Sequence, residues 1–144
     1  MIHCVITDSP IIADHLKYVM DYMENHDIPY DVYTGAIDAD AVKEGEIYLS
    51  CMIELFDLPA VEIEKIFTVF LAHNLTGVKG VNFERSQADL NIIGGRQIAA
   101  VQKIDLNDPR YVVGGYAKWD KIYKERFLQE ERRRQLTVQK GLNP

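Results

Sequence analysis

The sequence predicts an α+β fold of the ferredoxin-like, split βαβ kind, carrying a β-hairpin extension and a long C-terminal helix. Three observations predict it. Glu46 to Leu55 alternates without a slip, with Ile47, Leu49, Cys51, Ile53 and Leu55 on one face and Tyr48, Ser50, Met52 and Glu54 on the other. A period of two over that length marks a central strand with one dry face. The elements around it run β-α-β-β-α-β, the order of the split βαβ sandwich. The second and third strands are joined without a helix, which disfavours a doubly wound parallel sheet. Finally, Gly94-Gly95 between two apolar runs is a two-residue hairpin signal.

Ile2 to Thr7 reads as the first strand. Asp8 or Ser9 can cap a helix that carries Pro10 in its first turn, where a missing N–H costs nothing. Ile12, Leu16, Val19 and Met23 then form one stripe, so Pro10 to about Asn25 is an amphipathic helix that His26-Asp27-Ile28-Pro29 ends. Tyr30 to Thr34 is a second strand, followed by an acidic connection from Gly35 to Gly45. After the central strand, Asp57-Leu58-Pro59 opens a second helix with the stripe Ile63, Ile66, Phe67, Phe70 and Leu71, and Gly77 stops it. Val78 to Arg85 reads as a fourth strand, Asp89–Ile93 and Arg96–Ile104 as the hairpin, and Tyr111 to Val113 as a short edge strand. The chain thus divides into a domain over 1–115 and a basic helix and tail over 116–144.

A chain of 144 residues suits one domain that buries roughly two thirds of its unfolded surface. No apolar run approaches the ~20 residues of a membrane span. Met1-Ile2-His3-Cys4 lacks the basic start and apolar block of a signal peptide, so a cytoplasmic location is expected. Cys4 and Cys51 fall inside strands and are expected to be packed thiols. The net charge of −6 conceals an asymmetry. Residues 1–117 hold 18 acidic and 8 basic side chains, whereas 118–144 hold 8 basic and 4 acidic. An acidic body joined to a basic tail is a statement about partners.

A helix from Tyr116 to Gln139 would run about 36 Å, longer than the sheet is wide. Trp119, Ile122, Tyr123 and Phe127 can pack its first half, but Gln129 to Gln135 has no apolar residue. That second half is a solvated tail, a contact to the acidic body of a neighbouring subunit, or a nucleic-acid footprint. Nucleic acid ranks last, because the acidic body repels phosphates.

No strong catalytic motif is present: no P-loop, paired CxxC, HExxH or GxSxG occurs, and His3, His15, His26 and His73 share no spacing. Asp8-Ser9 follows the first strand and precedes a helix start, where N–H groups and the helix dipole favour an anion. The same two side chains are also natural N-caps. Asp38, Asp40 and Glu44 in the 35–45 loop lack the ligand order of a calcium loop, so no metal is expected. Glu54 and Tyr48 share the less apolar strand face. A carboxylate buried there would be an acid or base, with Tyr48 as its orienter. Arg85 and Arg96 are the cations best suited to a ligand carboxylate or phosphate. The candidate site is therefore Glu54, Asp8 and Tyr48 for chemistry, with Ser9, Arg85 and Arg96 for binding. The cofactor is left open.

In a ferredoxin-like sandwich the face bearing Tyr48, Ser50, Met52 and Glu54 would be bare, which predicts a homo-oligomer, with a trimer favoured. The topology resembles, at fold level only and without a shared motif, PII-type signalling trimers and the phage S-adenosylmethionine lyases. That likeness implies a nucleotide-like small molecule bound at subunit interfaces. It equally admits an enzyme cleaving a nucleotide-type cofactor in the same clefts. A third reading is an acidic inhibitor that mimics nucleic acid to bind a protein.

Overall fold

Ile2–Ile6 forms β1, and both of its edges are occupied. On one side it pairs in parallel with β2 (Tyr30–Thr34), and on the other in parallel with β3 (Ile47–Ser50). The sheet continues, parallel throughout, through β4 (Phe67–Leu71), β5 (Leu90–Ile93) and β6 (Tyr111–Val113), in the order β2-β1-β3-β4-β5-β6. This computed structural model describes residues 1–6, 10–51, 58–72, 88–115, 120–139 and 141. Its fold class is α/β. The antiparallel ferredoxin-like sandwich with a hairpin is overturned by the direction of every strand pair.

The misreading has a physical source at the β2–β3 connection. Twelve residues lie between Thr34 and Ile47, and they form no α-helix, only a 3-10 turn at Ala39–Ala41. A parallel crossover needs about a dozen residues of any conformation, and a helix is merely its commonest form. This one passes over β1 and sets β3 on the far side. Asp38 caps the turn, its carboxylate accepting from the Asp40 N–H at 3.1 Å.

The direction of travel decides which face each connection covers. The helix α1 (Pro10–Asn25) carries the chain from β1 outward to β2, and every later connection moves the other way across the sheet. With crossovers of one hand, α1 and the later segments must lie on opposite faces. The two cores show this. Leu16 and Met23 of α1 pack with Cys4, Leu49, Cys51, Val69 and Leu71. Ile37, Ile66 and Ala99 pack with Val5, Tyr48, Phe70 and Ile93 on the reverse face. The alternation in β3 is therefore real, but both of its faces are dry: Tyr48, Ser50 and Cys51 are all fully buried. The bare face that motivated a trimer is covered within the chain, and the likeness to PII-type trimers and lyases falls with the topology.

Two further elements differ from expectation. The second helix, α2, spans only Ala60–Ile63, and Phe67-Thr-Val-Phe-Leu71 is β4. Its aromatic and β-branched residues are spaced compatibly with either period, and strands buried on both faces read as continuous apolar runs. Gly94-Gly95 leads not to a returning strand but to a helix, α3 (Arg96–Val101), whose Arg, Gln and Ala residues favour helix. The expected strand at Val78–Arg85 lies outside the described residues, as does Trp119. The predicted α1, β2 and β6 are present, and α4 (Asp120–Gln139) matches the described part of the predicted terminal helix. Among the described residues no helix is long and apolar enough to cross a membrane.

Polar bonds hold the strands in register at specific places. The Thr68 N–H and hydroxyl both donate to Asp89 Oδ2, at 2.7 and 3.0 Å, and the Asp89 N–H returns a bond to Thr68 Oγ1. Buried Asn91 donates from Nδ2 to the carbonyls of Ala88 and Arg110, each at 3.3 Å. Beyond β6 the backbone passes very close to β5. A Cβ built on Gly114 would lie 2.4 Å from Ile92 Cγ2, and the Gly114 N–H bonds the Ile93 carbonyl at 3.0 Å. Gly114→Ala should thus force a backbone shift and destabilise the fold by ~1–3 kcal/mol. Chemical denaturation of the variant beside the parent checks this, and an unchanged midpoint would contradict it.

Candidate functional site

All strands of a parallel sheet end at the same edge, so the carboxyl edge collects the segments that follow β1, β3, β4 and β5. Between β1 and β3 the chain's direction of travel reverses, because β1 leads outward to β2 while β3 leads to β4. Ligands of open α/β sheets bind in the crevice that such a reversal leaves outside the carboxyl ends. The two flanking strands are tied just below that edge, where the buried Ser50 hydroxyl donates to the Val5 carbonyl at 3.0 Å. Asp8 and Ser9 follow β1 in the chain and Glu54 follows β3, but these three, with Arg85, lie outside the described residues.

Arg96 is exposed and opens α3, directly after β5 and the glycine pair. It too belongs to the carboxyl edge, although β5 stands three strand spacings from β1, about 14 Å at ~4.8 Å each. Tyr48 is placed differently from the expected orienter. It lies in the amino half of β3, opposite His3, and its ring is fully buried. Its hydroxyl accepts from the Lys43 N–H at 3.0 Å, and burial is the first cause that pushes its ionisation up. A closed ring with an occupied hydroxyl meets no ligand. Cys4 and Cys51 are buried and form no disulfide, and burial pushes both thiols up to about 11, so neither is a ready nucleophile.

The polar cluster that sequence reasoning missed lies at the opposite, amino edge. His3 is fully buried on β1, stacked on Tyr48 with ring centroids 4.6 Å apart and edge-on to Tyr33 at 5.3 Å. Its Nε2 donates to a carboxylate oxygen of Glu46, the residue that leads into β3. Its Nδ1 lies 3.8 Å from Asp31 Oδ2 on β2 and has no hydrogen-bond partner among the described residues. Register explains the meeting, since His3 stands opposite Asp31 on one side and Tyr48 on the other. The only sequence signal was a polar residue inside an apolar strand. Without the pairing of three strands, nothing marks Glu46 as its partner.

What this cluster does chemically is brace rather than react. A ring with no solvent exposure offers no proton path to a substrate, whereas its bond to Glu46 links β1 to the start of β3. The His3 bond holds the Glu46 carboxyl below the ordinary glutamate range, with the N-terminal ammonium and Lys43 acting in the same direction. The Met1 ammonium stands 3.8 Å from Glu46 Oε1. Among the described residues no three His, Cys, Asp or Glu side chains gather as a metal site would require.

No protein-family model, curated protein or solved structure matches this chain.

A depressed carboxyl gives stability that is complete above the unfolded glutamate range, near pH ~4.3, and lost as pH falls through the lower folded value. Glu46→Gln should therefore be less stable than the parent at pH 6, with the gap closing as pH drops from about 4.5 towards 3. Urea midpoints of both proteins across that interval check the sign. A gap that widens on acidification would refute it.

Proposed function

We propose that this chain binds a small, nucleotide-like molecule in the crevice at the carboxyl ends of β1 and β3. The observation that carries the reading is the reversal of strand order between those two strands, the place where open parallel sheets hold ligands. The polar residues picked out by the sequence follow the same two strands: Asp8-Ser9 follows β1 and Glu54 follows β3. α1 begins at Pro10, so its first-turn N–H groups and dipole favour an anionic group at that edge. In this role Asp8 and Ser9 meet polar groups of the ligand, and Glu54 meets a hydroxyl or amino donor. Arg96 is an exposed cation that follows β5 at the same edge. The ligand then needs one chain rather than a cleft between subunits. Tyr48 packs the core instead of orienting a substrate.

The test uses ATP and S-adenosylmethionine as probes in calorimetric titrations, with turnover followed by chromatography. One of the two should bind, and Asp8→Ala and Glu54→Gln should each weaken it roughly ten- to a hundredfold. That is the loss of one hydrogen bond to a charged group. Far-ultraviolet circular dichroism should stay native in both. A parent that binds neither probe, or variants that bind as well as the parent, would overturn the reading. Conversion of the bound probe would make the protein an enzyme at the same crevice.

A further inference from the structure

α4 is a helix of 20 residues, about 30 Å long, that contributes no buried side chain from Lys124 to Val138. Lys124 and Leu128 border a groove with Tyr18 and Tyr22 of α1, and Lys124, Phe127 and Glu130 border a second hollow on the helix. Phe127 is 63% exposed and Val138 69%, with Leu128 and Leu136 each at 54%. A charged helix that rests on so little is marginal in water, and large apolar side chains exposed along it mark a contact surface.

One stripe of this helix names the partner. Phe127, Glu131, Arg134 and Val138 recur at i, i+4, i+7 and i+11, so they share a face. The stripe reads apolar, acidic, basic, apolar. Turned end for end it reads apolar, basic, acidic, apolar, which is its own complement. Two copies laid antiparallel about a two-fold axis midway between Glu131 and Arg134 would set Phe127 against Val138 of the second copy. The same axis sets Glu131 against Arg134 of the second copy, twice over by symmetry. Self-complementarity of one patch about an axis is the condition for an isologous dimer.

We propose that α4 pairs antiparallel with α4 of a second copy of this chain, making a two-fold dimer through Phe127, Glu131, Arg134 and Val138. Charge favours this occupant over nucleic acid. The stripe itself is neutral, with one acid and one base, whereas a phosphate-tracking face would carry an excess of cations. Charge also favours the antiparallel sense. Residues 1–117 hold ten more acidic than basic side chains, and antiparallel helices bring the two chains in at opposite ends. A parallel pair would instead bring the two acidic bodies in at the same end.

Sedimentation velocity of the full chain from micromolar to submillimolar concentration tests the proposal. The parent should reach a reversible dimer of about twice 16.5 kDa. Glu131→Arg alone and Arg134→Glu alone should each weaken dimerisation at least tenfold, because each homodimer then opposes like charges at two symmetric places. An equimolar mixture of the two variants should regain the dimer, since each supplies the charge that the other lacks. Phe127→Ser should also weaken it. A parent that stays monomeric or forms trimers would overturn the proposal. So would a dimer indifferent to both charge reversals, or a mixture of the two variants that remains monomeric.

Discussion

Parallel pairing on both edges of β1 is the constraint on which the rest of the structure depends. A strand hydrogen-bonded on both sides and covered on both faces can carry few unpaired polar groups. Cys4 and Val5 meet this by being apolar and fully buried on opposite faces. Because neighbouring strands run in the same sense, each connection must cross back over the sheet. That need turns the acidic 35–46 segment into a crossover rather than a turn, and it brings Ile37 and Val42 down onto the reverse face.

The position of β1 also concentrates chemistry at the ends of the sheet. Parallel strands place all their carboxyl ends together, and the single reversal of travel falls beside β1. The Ser50 hydroxyl bond to the Val5 carbonyl holds the two flanking strands together there. At the amino edge the same three strands bring His3, Asp31 and Glu46 together. One edge gathers polar residues that pair with one another beneath two tyrosine rings. The other receives segments rich in polar residues directly after the strands end.

α4 stands apart from this logic. From Lys124 to Val138 none of its side chains is buried, so the sheet does not specify what it should touch. The ion pair between Arg126 and Glu130, at 3.5 Å and well exposed, is worth only a few tenths of a kcal/mol, ~0.3–0.5 for such pairs. Order along such a helix comes from what it meets. Apolar side chains as large as Phe127 stand exposed on this otherwise charged surface.

Local periodicity by itself determined the first strand, α1 with its Leu16 and Met23 stripe, β2, the alternating faces of β3 and the terminal helix. In α1 and β3 the apolar spacing matched one period and no other. It also marked Asp8 and Ser9 as polar residues close behind the first strand, and Glu54 as a polar residue of the central strand, a position outside the described residues. Tertiary structure alone decided strand direction, since alternation in Ile47 to Cys51 is the same whether the neighbour runs parallel or antiparallel. It decided that Phe67 to Leu71 is a strand, because burial on both faces erases the contrast that separates a strand from a buried helix. It also decided the fate of the polar face of β3: whether Tyr48 meets water, a partner or a core depends on a crossover that carries no helix signal. The pairing of His3 with Glu46 was likewise beyond the sequence, for 43 residues separate them and only the register of β1 against β3 brings them together.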